Sequence, residues 1–92
     1  MKISILLPYK ENFSPDYPGA VSLFVYETSK NSKFRKNITV YGNTNFKNKF
    51  KLKYKNIDLK KNLFSSQTKN YVKKFIDTEK KTNSTIIEIH NR

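Results

Sequence analysis

Glu88 and His90 stand two residues apart in the closing run Thr85-Ile86-Ile87-Glu88-Ile89-His90-Asn91-Arg92. The isoleucines read as a buried strand, Thr85 to Ile89, ending in three polar residues. Alternation puts Ile86, Glu88 and His90 on one face and Ile87 and Ile89 on the other. A carboxylate and the only histidine of the chain therefore approach the carboxyl end of one strand together. These are the group types that acid–base chemistry uses. In open α/β sheets, ligands bind outside that end. Every strand must also finish in polar residues, and that plainer reading stands beside the first.

A second stretch could face the same end. Tyr9 to Gly19 holds two of the three prolines, Pro15 and Pro18, and one of the two glycines. It is long for a strand-to-helix connection, usually about 2–6 residues, and long loops at such positions tend to be functional. Gly19 lets the backbone approach a ligand or turn sharply into the following helix.

The elements that must position these residues follow from pattern. Lys2 to Pro8 is a short apolar strand covered on both faces, stopped by Pro8. Ala20 to Lys30 has Val21, Phe24, Val25 and Thr28 on one helical face, with Leu23 and Tyr26 widening the apolar surface, and is expected to be well buried. Asn37 to Tyr41 is a second strand, closed by Gly42. Phe50 to Lys55 alternates: Phe50, Leu52 and Tyr54 face one way, and Lys51, Lys53 and Lys55 the other, as suits a sheet edge. Its link to strand two is short for a parallel crossover. Strand three is therefore antiparallel, or the parallel strand is Asn56 to Leu59; both readings stay open. Ser65-Ser66 offers an N-cap for a helix from Gln67 to Lys81, striped by Tyr71, Val72, Phe75 and Ile76. The order strand, helix, strand, strand, helix, strand argues for an α/β layered sheet of one domain, residues 1–92. Right-handed crossovers give a mostly parallel, Rossmann-like sheet in order 3-2-1-4, with strands one and four side by side in its middle. Gly19 and His90 then share one carboxyl edge.

Composition sets limits. The net charge is +12, which attracts phosphate-bearing partners. Nearly all the cations are lysine, with arginine only at Arg35 and Arg92, whereas specific nucleic-acid readers lean on arginine. Lysine spread among many Asn and Ile also reads as a genome-wide bias. With no cysteine and one histidine, disulfides, thiolate metal sites and a histidine-based zinc site are not expected. No P-loop and no dinucleotide-binding glycine motif is present. Nothing in the spacing supports a Ser-His-Asp triad. Two glycosylation sequons, at Asn37 and Asn83, read as coincidence in a chain so rich in Asn, Ser and Thr. The apolar run Ile3 to Leu7 is too short for a membrane span or signal core. The expected location is cytoplasmic, with peripheral contact at the inner face of an anionic membrane.

Four pieces, in order, carry a resemblance: Lys2 to Pro8 with Phe13 to Pro15, Pro18 to Glu27, Ile38 to Gly42, and Ile86 to Arg92 with its Glu-x-His-Asn. Together they resemble the opening of GT-B-fold glycosyltransferases of the GT4 type, from end to end of the chain. The resemblance implies the incomplete N-terminal half of a two-domain enzyme of bacterial cell-envelope polysaccharide biosynthesis. That enzyme would move a sugar from a nucleotide-sugar donor to a hydroxyl of a glycan or lipid-linked acceptor. It implies no cofactor and no specific nucleic acid. Gly19 and Ala20 would lie by the donor phosphates, His90 would orient a reacting hydroxyl, and Glu88, Asn91 and Arg92 would line the acceptor side. The chain departs from the pattern in having a single glycine after Pro18 and no proline after the His-Asn-Arg run. With no donor domain, the fragment is expected to be inactive alone. The alternative is a small basic nucleic-acid-binding module that uses Lys51, Lys53 and Lys55, with Tyr54 or Phe50 for stacking. A structural or interaction domain without chemistry is the third reading.

Overall fold

The computed structural model describes residues 1–59 and 66–90. Strand β1 is Ile3–Leu6, helix α1 is Ala20–Lys30, and a 3-10 turn, Arg35–Asn37, leads into β2, Ile38–Gly42. Then come β3, Tyr54–Asn56, α2, Gln67–Thr82, and β4, Ile86–Ile89. All four strands are parallel, in the order β3-β2-β1-β4. The chain steps outward from β1 through β2 to β3, then returns across the sheet to place β4 on the other side of β1. The gap between β1 and β4 is therefore the point where strand order reverses.

The pleat divides the core in two. Ile5, Leu7, Ile38 and Val40 meet Val25 of α1 on one face, with Phe13 from the loop. Leu6 and Tyr41 meet Tyr71 and Phe75 of α2 on the other. The two helices thus cover opposite faces. β4 follows the same alternation through its register: Ile86 pairs with Ile3 and Glu88 with Ile5, while Ile87 pairs with Ser4 and Ile89 with Leu6.

The connection from Leu7 to Gly19 is packed rather than loose. Phe13 is fully buried, stacked on Tyr54 with centroids 5.5 Å apart and edge-on to Phe50 at 5.0 Å. The turn at its start closes through Glu11 N–H donating to the Pro8 carbonyl, and Lys10 takes a φ of 63° there. At α2, the Ser66 hydroxyl accepts from Lys69 N–H, as an N-cap does; Ser65 lies outside the described residues. Asn83 ends α2 in the left-handed region, φ 57°, and donates to Glu79 O at 2.7 Å.

Several expectations change. β4 is an edge strand rather than a central one, and its isoleucines are 45 to 54% exposed, because neither helix reaches over it. α1 buries Ser22, Val25 and Ser29, not the stripe with Phe24; Leu23 and Phe24 are exposed, and Phe24 lies on the flank toward β4. A helix that is apolar nearly all round has no unique inward face, and here small serines allow the closest approach to the sheet. In α2, Glu79 takes an inward position and Ile76 is exposed. Strand three is parallel: only Tyr54–Asn56 pair with β2, so residues 43–53 are all available for the crossover. Phe50, Leu52 and Tyr54 do pack inward, as their alternation implies.

Candidate functional site at the carboxyl rim

The ladder runs past the ends of the central strands. Leu7 N–H donates to Tyr41 O at 2.9 Å, and His90 N–H donates to Leu6 O at 3.0 Å. Beneath them Tyr71 Oη donates to Leu7 O at 2.6 Å. Burial pushes the Tyr71 phenol above its ordinary value, with Tyr54 adding to the effect, so this donor keeps its proton. The rim between β1 and β4 thus has a rigid floor.

Glu88 and His90 project to the α1 face of that floor. His90 Nε2 and Glu88 Oε1 are 3.0 Å apart, with the imidazole largely covered and the carboxylate about half exposed. With Nε2–H donating to the carboxylate, Nδ1 is left as an acceptor with no hydrogen-bond partner among the described residues. A carboxylate that fixes an imidazole in this way leaves the other nitrogen able to hold or take the proton of a hydroxyl. The imidazole also meets Phe24 of α1, edge to face at 6.4 Å between centroids. This contact joins α1, one turn in from its start, to the tip of β4. Between α1 and β4 a mainly apolar cleft of about 340 Å³ runs from Phe24 and Glu88 toward the amino ends of the strands, where Ile3, Ile86 and Ser32 line it.

Gly19 is the N-cap residue of α1, with extended backbone and no side-chain cap, and Ala20 opens the helix. The amides at this end are not left to solvent alone. Glu11 is buried, and its Oε2 accepts from Ser22 N–H at 3.2 Å. A methyl built on Gly19 would fall 1.4 Å from that oxygen. A carboxylate from the loop therefore lies where the helix dipole favours an anion. The loop sequence hides this role, because no periodicity marks Glu11. The one available signal is the cap itself: glycine has no capping atom, and the first turn of α1 has no acid. The spacing of Phe24 points to the core, whereas the residue is exposed and its ring meets His90.

The structure thus gathers Glu88 and His90 at the end of β4 and ties them to α1, the helix that Gly19 and Ala20 begin. Asn91 and Arg92 lie outside the described residues. Among the described residues no cluster of three or more His, Cys, Asp or Glu could hold a metal ion, and no helix is long and apolar enough to cross a membrane. Phe50 stacks on Tyr26 at 4.2 Å and Tyr54 on Phe13, so neither ring is free to stack a base beside Lys51, Lys53 and Lys55. Comparison with protein-family models, with curated proteins and with solved structures gave no match.

Proposed function

We propose that this chain is the acceptor-side half-domain of a glycosyltransferase that uses a nucleotide-sugar donor. The observation that carries the reading is the Glu88–His90 pair at the strand-order reversal, tied by Phe24 to the helix whose first amides already attract a carboxylate. What supports it further is the all-parallel sheet in the order β3-β2-β1-β4, the architecture that the sequence resemblance implies. In this reading His90 orients an acceptor hydroxyl through Nδ1, and Glu88 holds the ring. The apolar cleft beside them takes the less polar part of the acceptor. Gly19 and Ala20 face the donor phosphates, and Glu11 marks the place of an anion that those phosphates take over. The donor-side domain is a separate unit, because one domain of this size supplies only one wall of a cleft. Asn91 and Arg92 extend the acceptor side.

The test is sugar transfer from a labelled nucleotide sugar by the polypeptide of the whole reading frame. His90→Ala is expected to lower kcat by about 10²-fold or more, the usual scale for a lost orienting or proton-transferring group. Unchanged transfer would remove His90 from the site. An absence of any transfer activity in the unaltered polypeptide would remove the reading itself.

A further inference from the structure

The opposite rim of the sheet carries a different feature. A cavity of about 440 Å³ opens at the amino ends of β1 and β2, on the side of the loop that follows α2. Lys2, Lys36, Lys53 and Lys55 stand in its walls. They come from four places in the chain: the lead into β1, the 3-10 turn, the approach to β3 and β3 itself. Thr39 and Ser84 add hydroxyls. No Asp or Glu is among its lining residues, and none of the four lysines is in an ion pair among the described residues. The closest acid in the hydrogen-bond network is Glu79, which is buried and does not line the cavity; its Oε1 accepts from Ser4 Oγ at 2.5 Å, and Ser84 Oγ meets the same serine at 2.6 Å.

All four lysines are solvent-exposed, and four like charges around one cavity repel in the absence of a counter-charge. Convergence around a concave, hydroxyl-bearing wall is what a bound anion would reward. The volume falls within the range of small-molecule sites. The one aromatic residue in the wall, Tyr41, is buried, with its ring edge-on to Phe75. It offers no platform for a base, which argues against single-stranded nucleic acid. Lysine binds phosphate as a compact point charge and needs no planar fork for it.

We propose that this lysine-walled cavity is a second anion site, separate from the carboxyl rim, that binds small molecules through their phosphate groups. It is independent of the transferase reading, since its lysines lie toward the other end of the strands and take no part in the carboxyl rim.

Inorganic pyrophosphate is the probe, titrated calorimetrically into the 92-residue chain at low salt, with amide shifts followed in parallel. Lys36→Gln with Lys55→Gln should weaken binding by at least about tenfold. A control pair, Lys33→Gln with Lys69→Gln, removes the same charge from exposed positions elsewhere and should change it by less than about twofold. Shifts should gather on Lys36, Thr39, Lys55 and Ser84. Equal losses in the two pairs would overturn the proposal, because they would report net charge alone. So would the absence of any heat at millimolar pyrophosphate. Displacement of pyrophosphate by a lower concentration of a short oligonucleotide would overturn it in favour of a nucleic-acid surface.

Discussion

The carboxylate of Glu11 and the Cα of Gly19 share one space: a single methyl on Gly19 would fall 1.4 Å from Oε2. Glycine is needed here for close approach, since its φ of −70° suits any residue. Gly19→Ala must drive Glu11 off Ser22 N–H, and should cost about 1–3 kcal/mol, the scale of a buried hydrogen bond broken on one side. With Glu11→Ala already in place the same change should cost far less. A double-mutant cycle by urea unfolding checks this, and additive costs would contradict the contact.

The same relationship bears on ligand affinity. If phosphates take over the amides at the start of α1, the resident carboxylate competes with them. Glu11→Gln should therefore strengthen binding of a nucleoside diphosphate at this rim by about tenfold, the effect of removing one nearby like charge in a partly covered site. Calorimetry on the variant and the unaltered chain makes the comparison.

Lys10 occupies the third position of the turn closed by Glu11 N–H and Pro8 O, with φ 63°. A side chain in that region is strained by roughly 1–2 kcal/mol, of which glycine's greater freedom in the unfolded chain returns part. Lys10→Gly is expected to stabilise the protein by about 0.5–1 kcal/mol in thermal or urea melts.

Burial separates two apolar residues that sequence treats alike. Leu6 is 1% exposed beneath α2, and Leu6→Ala should cost about 2–5 kcal/mol. Ile87 is 48% exposed on the edge strand, and Ile87→Thr should stay within about 0.5–1 kcal/mol. Equal costs would mean that something covers β4 in solution.

Stability should fall in strong alkali. Burial raises the phenols of Tyr54 and Tyr71 above their ordinary value of 10.0, with Asp58 adding to the shift at Tyr54. The folded chain holds these protons more tightly than the unfolded chain. Their contribution is therefore fully present below about pH 10 and is lost as pH rises through the higher folded values. Tyr71→Phe should flatten the decline above pH 10 while lowering stability at pH 7, because its hydrogen bond to Leu7 O is gone.

What could be read in advance follows from how local each signal is. The limits of α1 match its pattern, since Pro18 and Gly19 cannot continue a helix backwards and a lysine and an asparagine close it. The order β3-β2-β1-β4 follows from alternation of elements and crossover hand, whereas the parallel direction of β3 could not be decided from its short link to β2. Phe13 could not be placed: one aromatic residue in a proline-bearing loop has no period, and only the arrival of Tyr54, Phe50 and Tyr26 from later in the chain buries it. Glu79 was hidden for the same reason, because its partner Ser4 lies 75 residues away. The pairing of Glu88 with His90 was legible in part, since alternation alone puts them on one face. Their contact with Phe24 required the tertiary structure.

On the proposed reading, the start of α1 and the tip of β4 form one ligand site. Its most direct test follows the Gly19 and Ala20 amides and the His90 imidazole by NMR while uridine diphosphate is added. The Lys36→Gln, Lys55→Gln background silences the amino rim. All three signals should move together along one saturation curve. Shifts at His90 without any at Gly19 and Ala20, or no shift at millimolar nucleotide, would contradict it.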